Sequence, residues 1–73
     1  MNESPKEARL RAGDVVRTTI HALDEEGRGL SSVVHGTRVL PLVVENALVG
    51  EEVDVAIAHV GHRVFGEARV FHA

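Results

Sequence analysis

The stretch Arg63-Val64-Phe65-Gly66-Glu67-Ala68-Arg69-Val70-Phe71 carries more chemistry than any other part of the chain. In an extended strand, successive side chains point to opposite faces. Arg63, Phe65, Glu67, Arg69 and Phe71 then share one face, and Val64, Gly66, Ala68 and Val70 share the other. The second set is small and apolar, suited to the inside of a tight β-barrel. The first alternates aromatic rings with guanidinium groups, which is what single-stranded RNA needs: π-faces for bases and cations for phosphates. The same residues allow a second arrangement, in which a bulge at Gly66 turns Phe65 into a core otherwise short of large side chains. Arg17 and Arg38 stand in other predicted strands, and Arg28 stands in a loop between Gly27 and Gly29. The candidate RNA-contact set is therefore Arg17, Arg28, Arg38, Arg63, Phe65 and Arg69.

Other chemistries find less material. The five histidines are His21, His35, His59, His62 and His72. His59 and His62 flank a predicted turn, but no acidic or sulfur ligand follows at a recognised interval, and zinc needs three or four ligands. Gly27-Arg28-Gly29 is too short for a phosphate-binding loop and opens no helix. The chain contains no cysteine, which removes disulfides, thiolate nucleophiles and cysteine-bound clusters. No nucleophile–base pair stands out, so the expectation is a non-enzymatic domain with no cofactor and no metal.

The elements that must position these residues are short. At 73 residues the chain makes one small domain, with stability of a few kcal/mol. Gly13-Asp14 opens a first strand, Val15 to Leu23, in which an irregularity near His21 or Ala22 is predicted to turn Leu23 inward. Asp24-Glu25-Glu26-Gly27 is a polar connection. Leu30 to His35 and Arg38 to Val44 are predicted strands joined by a hairpin turn at His35-Gly36-Thr37. Pro41 lacks a ladder N–H, which predicts an edge position or a bulge. Asn46 and Gly50 bracket an elbow with Leu48 tucked beneath it as a plug. In Glu51 to Val60, Val53, Val55 and Ile57 alternate with Glu52, Asp54, Ala56 and Ala58, the pattern of a half-buried strand. Gly61-His62 is predicted as a two-residue type II′ hairpin into the last strand. Residues 1–12 form a polar leader, with material for a helical turn near Lys6–Arg11 or for a frayed terminus. Five short strands with glycine turns predict an all-β fold, a closed or partly open small barrel over residues 13–73.

Eight basic residues against eleven acidic ones give a formal charge of −3. That is poor material for sequence-blind binding to a phosphate backbone. Seven of the eight cations are arginine, however, and arginine holds phosphate bidentately and stacks on bases. No apolar run is long enough to span a bilayer, and residues 1–12 lack the hydrophobic stretch of a secretion signal. The expectation is a soluble cytoplasmic domain.

The ordered pieces Gly13-Asp14-x-Val16-x-Thr18-x-Ile20-x-x-Leu23, Gly27-x-Gly29-Leu30, Val43-Val44-x-x-Ala47-Leu48-x-Gly50-Glu51-x-Val53 and Phe65-Gly66-Glu67-Ala68-Arg69-Val70 resemble the TRAM domain. The resemblance covers residues 13–70. It implies a five-stranded OB-like barrel that binds tRNA or rRNA and is attached to RNA-modifying enzymes, or stands alone. The implied role is an accessory one: as the N-terminal domain of an RNA methyltransferase, or as a free-standing protein, the domain presents RNA to a modifying enzyme. The chain departs from the family pattern at Val49, where the family usually has proline. It departs again at Gly61, His62 and Glu67, where the family usually offers cations. A histidine beside Arg63 adds positive charge as the pH falls, so RNA affinity is expected to rise on acidification. The rival expectation is a protein-interaction or assembly barrel that has lost its RNA surface, favoured by the acidic runs Asp24-Glu25-Glu26 and Glu51-Glu52-x-Asp54.

Overall fold

The computed structural model describes residues 9–72; the rest of the leader, including half of the stretch with helical potential, lies outside them. The fold is all-β, with strands β1 (Val15–Thr19), β2 (Ala22–Leu23), β3 (Gly29–His35), β4 (Arg38–Glu45), β5 (Glu52–Val60) and β6 (Val64–Phe71). They form one sheet in the order β1-β5-β6-β4-β3-β2, curled into a half-barrel. All neighbours are antiparallel except β4 and β6, which run parallel from Leu42↔Val64 to Glu45↔Glu67. Among the described residues no helix is long and apolar enough to cross a membrane.

The six strands include two that the alternation predicts as one. The break falls at Ile20–His21, where the irregularity is expected. The Ile20 N–H donates to Glu51 O at 2.9 Å, on the β5 side, and the His21 N–H donates to Leu30 O at 2.9 Å, on the β3 side. Two residues thus carry the chain from one end of the sheet order to the other. Leu23, however, does not turn inward; it is 42% exposed, and Ile20 is the residue that enters the core. The reason is that β2 is a two-residue edge strand with only β3 beside it, so nothing covers Leu23.

The core is aliphatic: Ile20, Leu40, Leu42, Val44, Ala47, Val53, Val55, Ile57, Val64 and Ala68, with Leu10, Val16, Val33 and Val60 packed around it. β5 follows its alternation as expected, burying Val53, Val55 and Ile57. The hairpin between β3 and β4 also forms as expected, with Gly36 at φ +64° in a two-residue turn between His35 and Arg38.

Four expectations need correction. The elbow does turn at Asn46 (φ +66°) and Gly50 (φ +89°), but its buried residue is Ala47, and Leu48 is 64% exposed. A Cβ on Gly29 would lie 3.2 Å from the Ala47 methyl, so the space under the elbow fits alanine and not leucine. Leu48 is held outside by a tight turn, its N–H donating to Glu51 Oε1 at 2.8 Å and its carbonyl accepting from the Glu51 N–H at 3.2 Å. Pro41 is in an interior strand with no bulge against β3. It stands opposite Ser32 just before the ladder with β6 begins at Leu42, so β4 has a partner on one side only at that point, the local equivalent of an edge. The β5–β6 turn spans Gly61, His62 and Arg63 between Val60 and Val64. Gly61 lacks the positive φ that a type II′ turn requires. Finally, Val70 is 48% exposed. The register passes from Ala68↔Val55 to Val70↔Asp54, so Arg69 is an extra residue that flips the parity of the strand end.

Candidate nucleic-acid interface

The outward rows of the sheet follow from register. Phe65 pairs with His59 on β5 and with Val43 on β4, and Val43 pairs with Leu30 on β3. These four residues form a transverse row on the outer face. Phe65 is half-buried and does not enter the core. Of the two arrangements open to it, the outward one is observed. The bulge is in β5, at Ala58, between Ile57↔Gly66 and His59↔Phe65. It brings the His59 ring to 6.0 Å from the Phe65 ring, centroid to centroid, with the planes tilted by 44°. Val43 is buried yet lies outside the core cluster, so this row has its own small apolar packing. The side chain of Phe71 lies outside the described residues.

The five candidate arginines fall into two groups. Arg17 on β1 bonds through Nε to Asp54 Oδ1 at 3.0 Å, and His72 Nε2 approaches Asp54 Oδ2 at 3.2 Å without aligning as a hydrogen bond. Arg28 is enclosed by carboxylates: Asp24 at 2.8 Å, Glu26 at 2.9 Å and Glu45 at 3.9 Å. Arg69 stands 3.8 Å from Glu67, with both side chains well exposed. Such exposed pairs contribute little to stability, but each carboxylate offsets the charge of its arginine. Arg38 and Arg63, by contrast, have no ion pair among the described residues and are exposed.

These two free arginines mark one end of the sheet. Arg38 lines a depression of about 330 Å³ with His35, Leu40, Val60, Gly61 and His62. Arg63 follows directly in the β5–β6 turn, and its side chain lines a second hollow of about 270 Å³ with Asp24, Glu25, Glu26 and Arg28. Neither Leu30–Val44 nor Val55–Gly66 contains a carboxylate, so these strands carry Arg38, Arg63, His35, His59 and His62 with no acid of their own, while Arg63 shares the second hollow with Asp24, Glu25 and Glu26. Arg9 joins them, its guanidinium about 4 Å from the Cβ position of Gly36. Leu10 anchors it there, with its N–H donating to His35 Nδ1 at 2.9 Å and its side chain against the core. Sequence spacing gives no signal for Arg9, because the contact joins residues 25 apart. Other acidic residues stand in the loop before β3 (Asp24, Glu25 and Glu26, which border the Arg63 hollow), at the end of β4 (Glu45) and entering β5 (Glu51 and Glu52). Among the described residues no three of His, Asp and Glu converge on a point that could hold a metal ion.

The ion pairs shift their carboxylates. The Arg28 N–H, its guanidinium and the Glu26 N–H hold the Asp24 carboxyl below the usual aspartate range, and the same contact raises Arg28. Arg17 first, then His72, lower Asp54. A carboxyl with a lower value in the folded chain stabilises it at pH above the ordinary aspartate range, and that contribution is lost as the pH falls through the lowered value. Urea midpoints should therefore decline in acid below the usual aspartate value. Asp54→Asn should flatten part of that decline; an unchanged acid limb in Asp54→Asn would contradict the pairing.

No family model and no curated protein sequence matches the chain.

Proposed function

We propose that the chain is a non-catalytic RNA-binding module of the TRAM type, presenting tRNA or rRNA to a modifying enzyme to which it is fused or which it serves as a separate protein. The observation that carries this reading is the outward Phe65–His59 ring pair, with exposed Arg38 and Arg63 lacking ion pairs among the described residues at the hairpin end of the sheet. Rings that face outward offer stacking surfaces to bases, and free guanidinium groups offer phosphate contacts. Counting β1 and β2 as one bent strand gives five strands, the number the OB-like reading expects. The contact set narrows to Arg38, Arg63 and Phe65, joined by Arg9, His59 and His62. Arg17, Arg28 and Arg69 serve their carboxylates first.

The test is binding of a labelled tRNA or short rRNA hairpin as salt is varied. Each phosphate contact in a single-stranded segment contributes about 0.7 to the slope of log affinity against log salt. The Arg38→Ala/Arg63→Ala double variant should lower the slope by roughly two such contacts and weaken binding to all sequences alike. Absence of binding at low salt, or a flat salt response, would overturn the reading.

A protein-interaction barrel is the second reading. It is favoured by apolar side chains left in solvent, Val34, Val39, Leu48 and Val49 among them, and by the commitment of three arginines to carboxylates.

A further inference from the structure

Leu42 and Leu40 point into the core, and two residues back along β4 the same face reaches Arg38. Its cross-strand partner His35 shares that face. Both therefore open on the inner side of the half-barrel, at its mouth, and the Phe65–His59 pair lies on the opposite face. The hollow they line, about 330 Å³, has Leu40 and Val60 as its apolar floor and Gly61 and His62 on the β5–β6 side. None of its lining residues is acidic. The Leu10 N–H donates to His35 Nδ1 at 2.9 Å. With Nδ1 accepting, the neutral ring carries its proton on Nε2 and is a hydrogen-bond donor there. Arg9 stands at the rim, its guanidinium 3.9 Å from the Cβ position of Gly36, which is buried although it sits at a hairpin tip. Neither Arg9 nor Arg38 has an ion pair among the described residues.

We infer that this hollow is a subsite for a phosphate monoester, the terminal phosphate of an RNA strand. A monoester carries a charge of about −1.5 to −2 at neutral pH and three strong acceptor oxygens, whereas each phosphate inside a strand carries only one negative charge. The two guanidinium groups of Arg38 and Arg9 match the higher charge, and arginine's fork fits phosphate oxygens bidentately. His35 Nε2–H and His62 add donors from two further positions. The volume is at the small end of ligand sites, which run from roughly 300 to 1,000 Å³. That size suits a phosphate with its sugar, and the apolar floor suits the sugar's carbons. The inference rests on the RNA reading for the strand that bears the phosphate; the anion subsite itself rests only on its lining. A strand whose end is held here passes over the rim of the sheet and brings its following bases to the outward rings.

Two titrations of the full chain test this. Inorganic phosphate, added at constant ionic strength and followed by NMR, should shift the signals of His35, Gly36, Arg38 and His62 and leave Arg17 and Asp54 in place. Arg38→Ala should abolish those shifts; the side chain is exposed, and circular dichroism verifies that the variant is folded. The second titration uses one short single-stranded RNA in three forms, with a 5′-phosphate, with a 3′-phosphate, or with hydroxyls at both ends. One of the phosphorylated forms should bind about tenfold tighter than the hydroxyl form, the effect of one additional charge-assisted hydrogen bond. Arg38→Ala should remove that difference. Phosphate shifts that scatter over all the arginines, or survive in Arg38→Ala, would overturn the inference. So would equal binding of all three RNAs, which leaves the RNA reading standing. Gathered phosphate shifts with no binding of any RNA would instead uphold the anion subsite and overturn the RNA reading, and with it the strand end as the source of the phosphate.

Discussion

Gly66→Ala should destabilise the domain by about 1–3 kcal/mol, the cost of forcing an extra methyl into a packed core, and Gly66→Val should leave it largely unfolded. A Cβ at this buried position would lie 2.5 Å from Val55 Cγ1 and 2.7 Å from Ala56 O. Val55 can shift only by disturbing the core, because it is fully buried. Ala56 O is backbone on β5, facing β6, and moving it would open the ladder at Ile57↔Gly66 beside the Ala58 bulge. A domain of this size has only a few kcal/mol to lose. Gly61→Ala is the control: the nearest atom there is His59 Nε2 at 3.1 Å, the end of a side chain that can swing away. Urea unfolding should separate the two variants clearly. A Gly66→Ala variant as stable as the wild type would show that β5 and β6 are not as close at this point as the structure places them.

Leu42→Ala should be the most damaging truncation among the leucines, and Leu48→Ala should be nearly silent. Leu42 is completely buried between Val64 on β6 and Ser31 on β3. Its removal both exposes less apolar surface to burial and leaves a cavity, a loss of about 2–5 kcal/mol. Leu48 stands in solvent, where substitutions stay within about 0.5 kcal/mol. The comparison is decisive because composition alone ranks the two alike, and the elbow pattern favours Leu48 as the buried one. Equal losses from both variants would mean that the elbow folds under after all.

Much of the strand layout is legible because period-two alternation is a local property. Val53, Val55 and Ile57 declare their face without reference to the rest of the chain, and Gly36, Asn46 and Gly50 declare turns through backbone conformations that few other residues accept. What stays hidden depends on contacts between distant residues. Whether Ala47 or Leu48 enters the core is decided by Gly29, on a different strand. The parity of β6 is readable up to Ala68 and is then reversed by Arg69, an extra residue that only the register with β5 reveals. The candidate interface behaves the same way. The outward position of Phe65 follows from alternation, but its ring partner His59 depends on the bulge at Ala58. Arg17 reads as a free cation until the fold sets Asp54, 37 residues away, against it. Arg28 is the exception, because its partner is local: Asp24 lies four residues before it, and its carboxylate accepts from both the Arg28 N–H and the guanidinium.

The division of charge along the sheet makes the RNA reading specific. A uniform scatter of arginines among carboxylates would leave no face with a positive field at physiological salt, where screening acts within about 8 Å. Here Arg38 lines a hollow without carboxylates, and Arg63 borders the Asp24–Glu26 loop without an ion pair among the described residues, so the net charge of −3 does not describe the hairpin end. In the proposed role, sequence-independent phosphate contact at one end, with two rings for unstacked bases, would suit a module that holds RNA for an enzyme rather than one that reads a sequence.

The most direct test is an NMR titration of the chain with a tRNA or a short rRNA hairpin at low salt, following backbone amide shifts. The account predicts that the shifts gather on Arg38, His59, His62, Arg63 and Phe65, leave Arg17 and Asp54 in place, and vanish in the Arg38→Ala/Arg63→Ala variant. Shifts centred on the Asp24–Arg28 loop and the elbow, or no shifts at all, would contradict it.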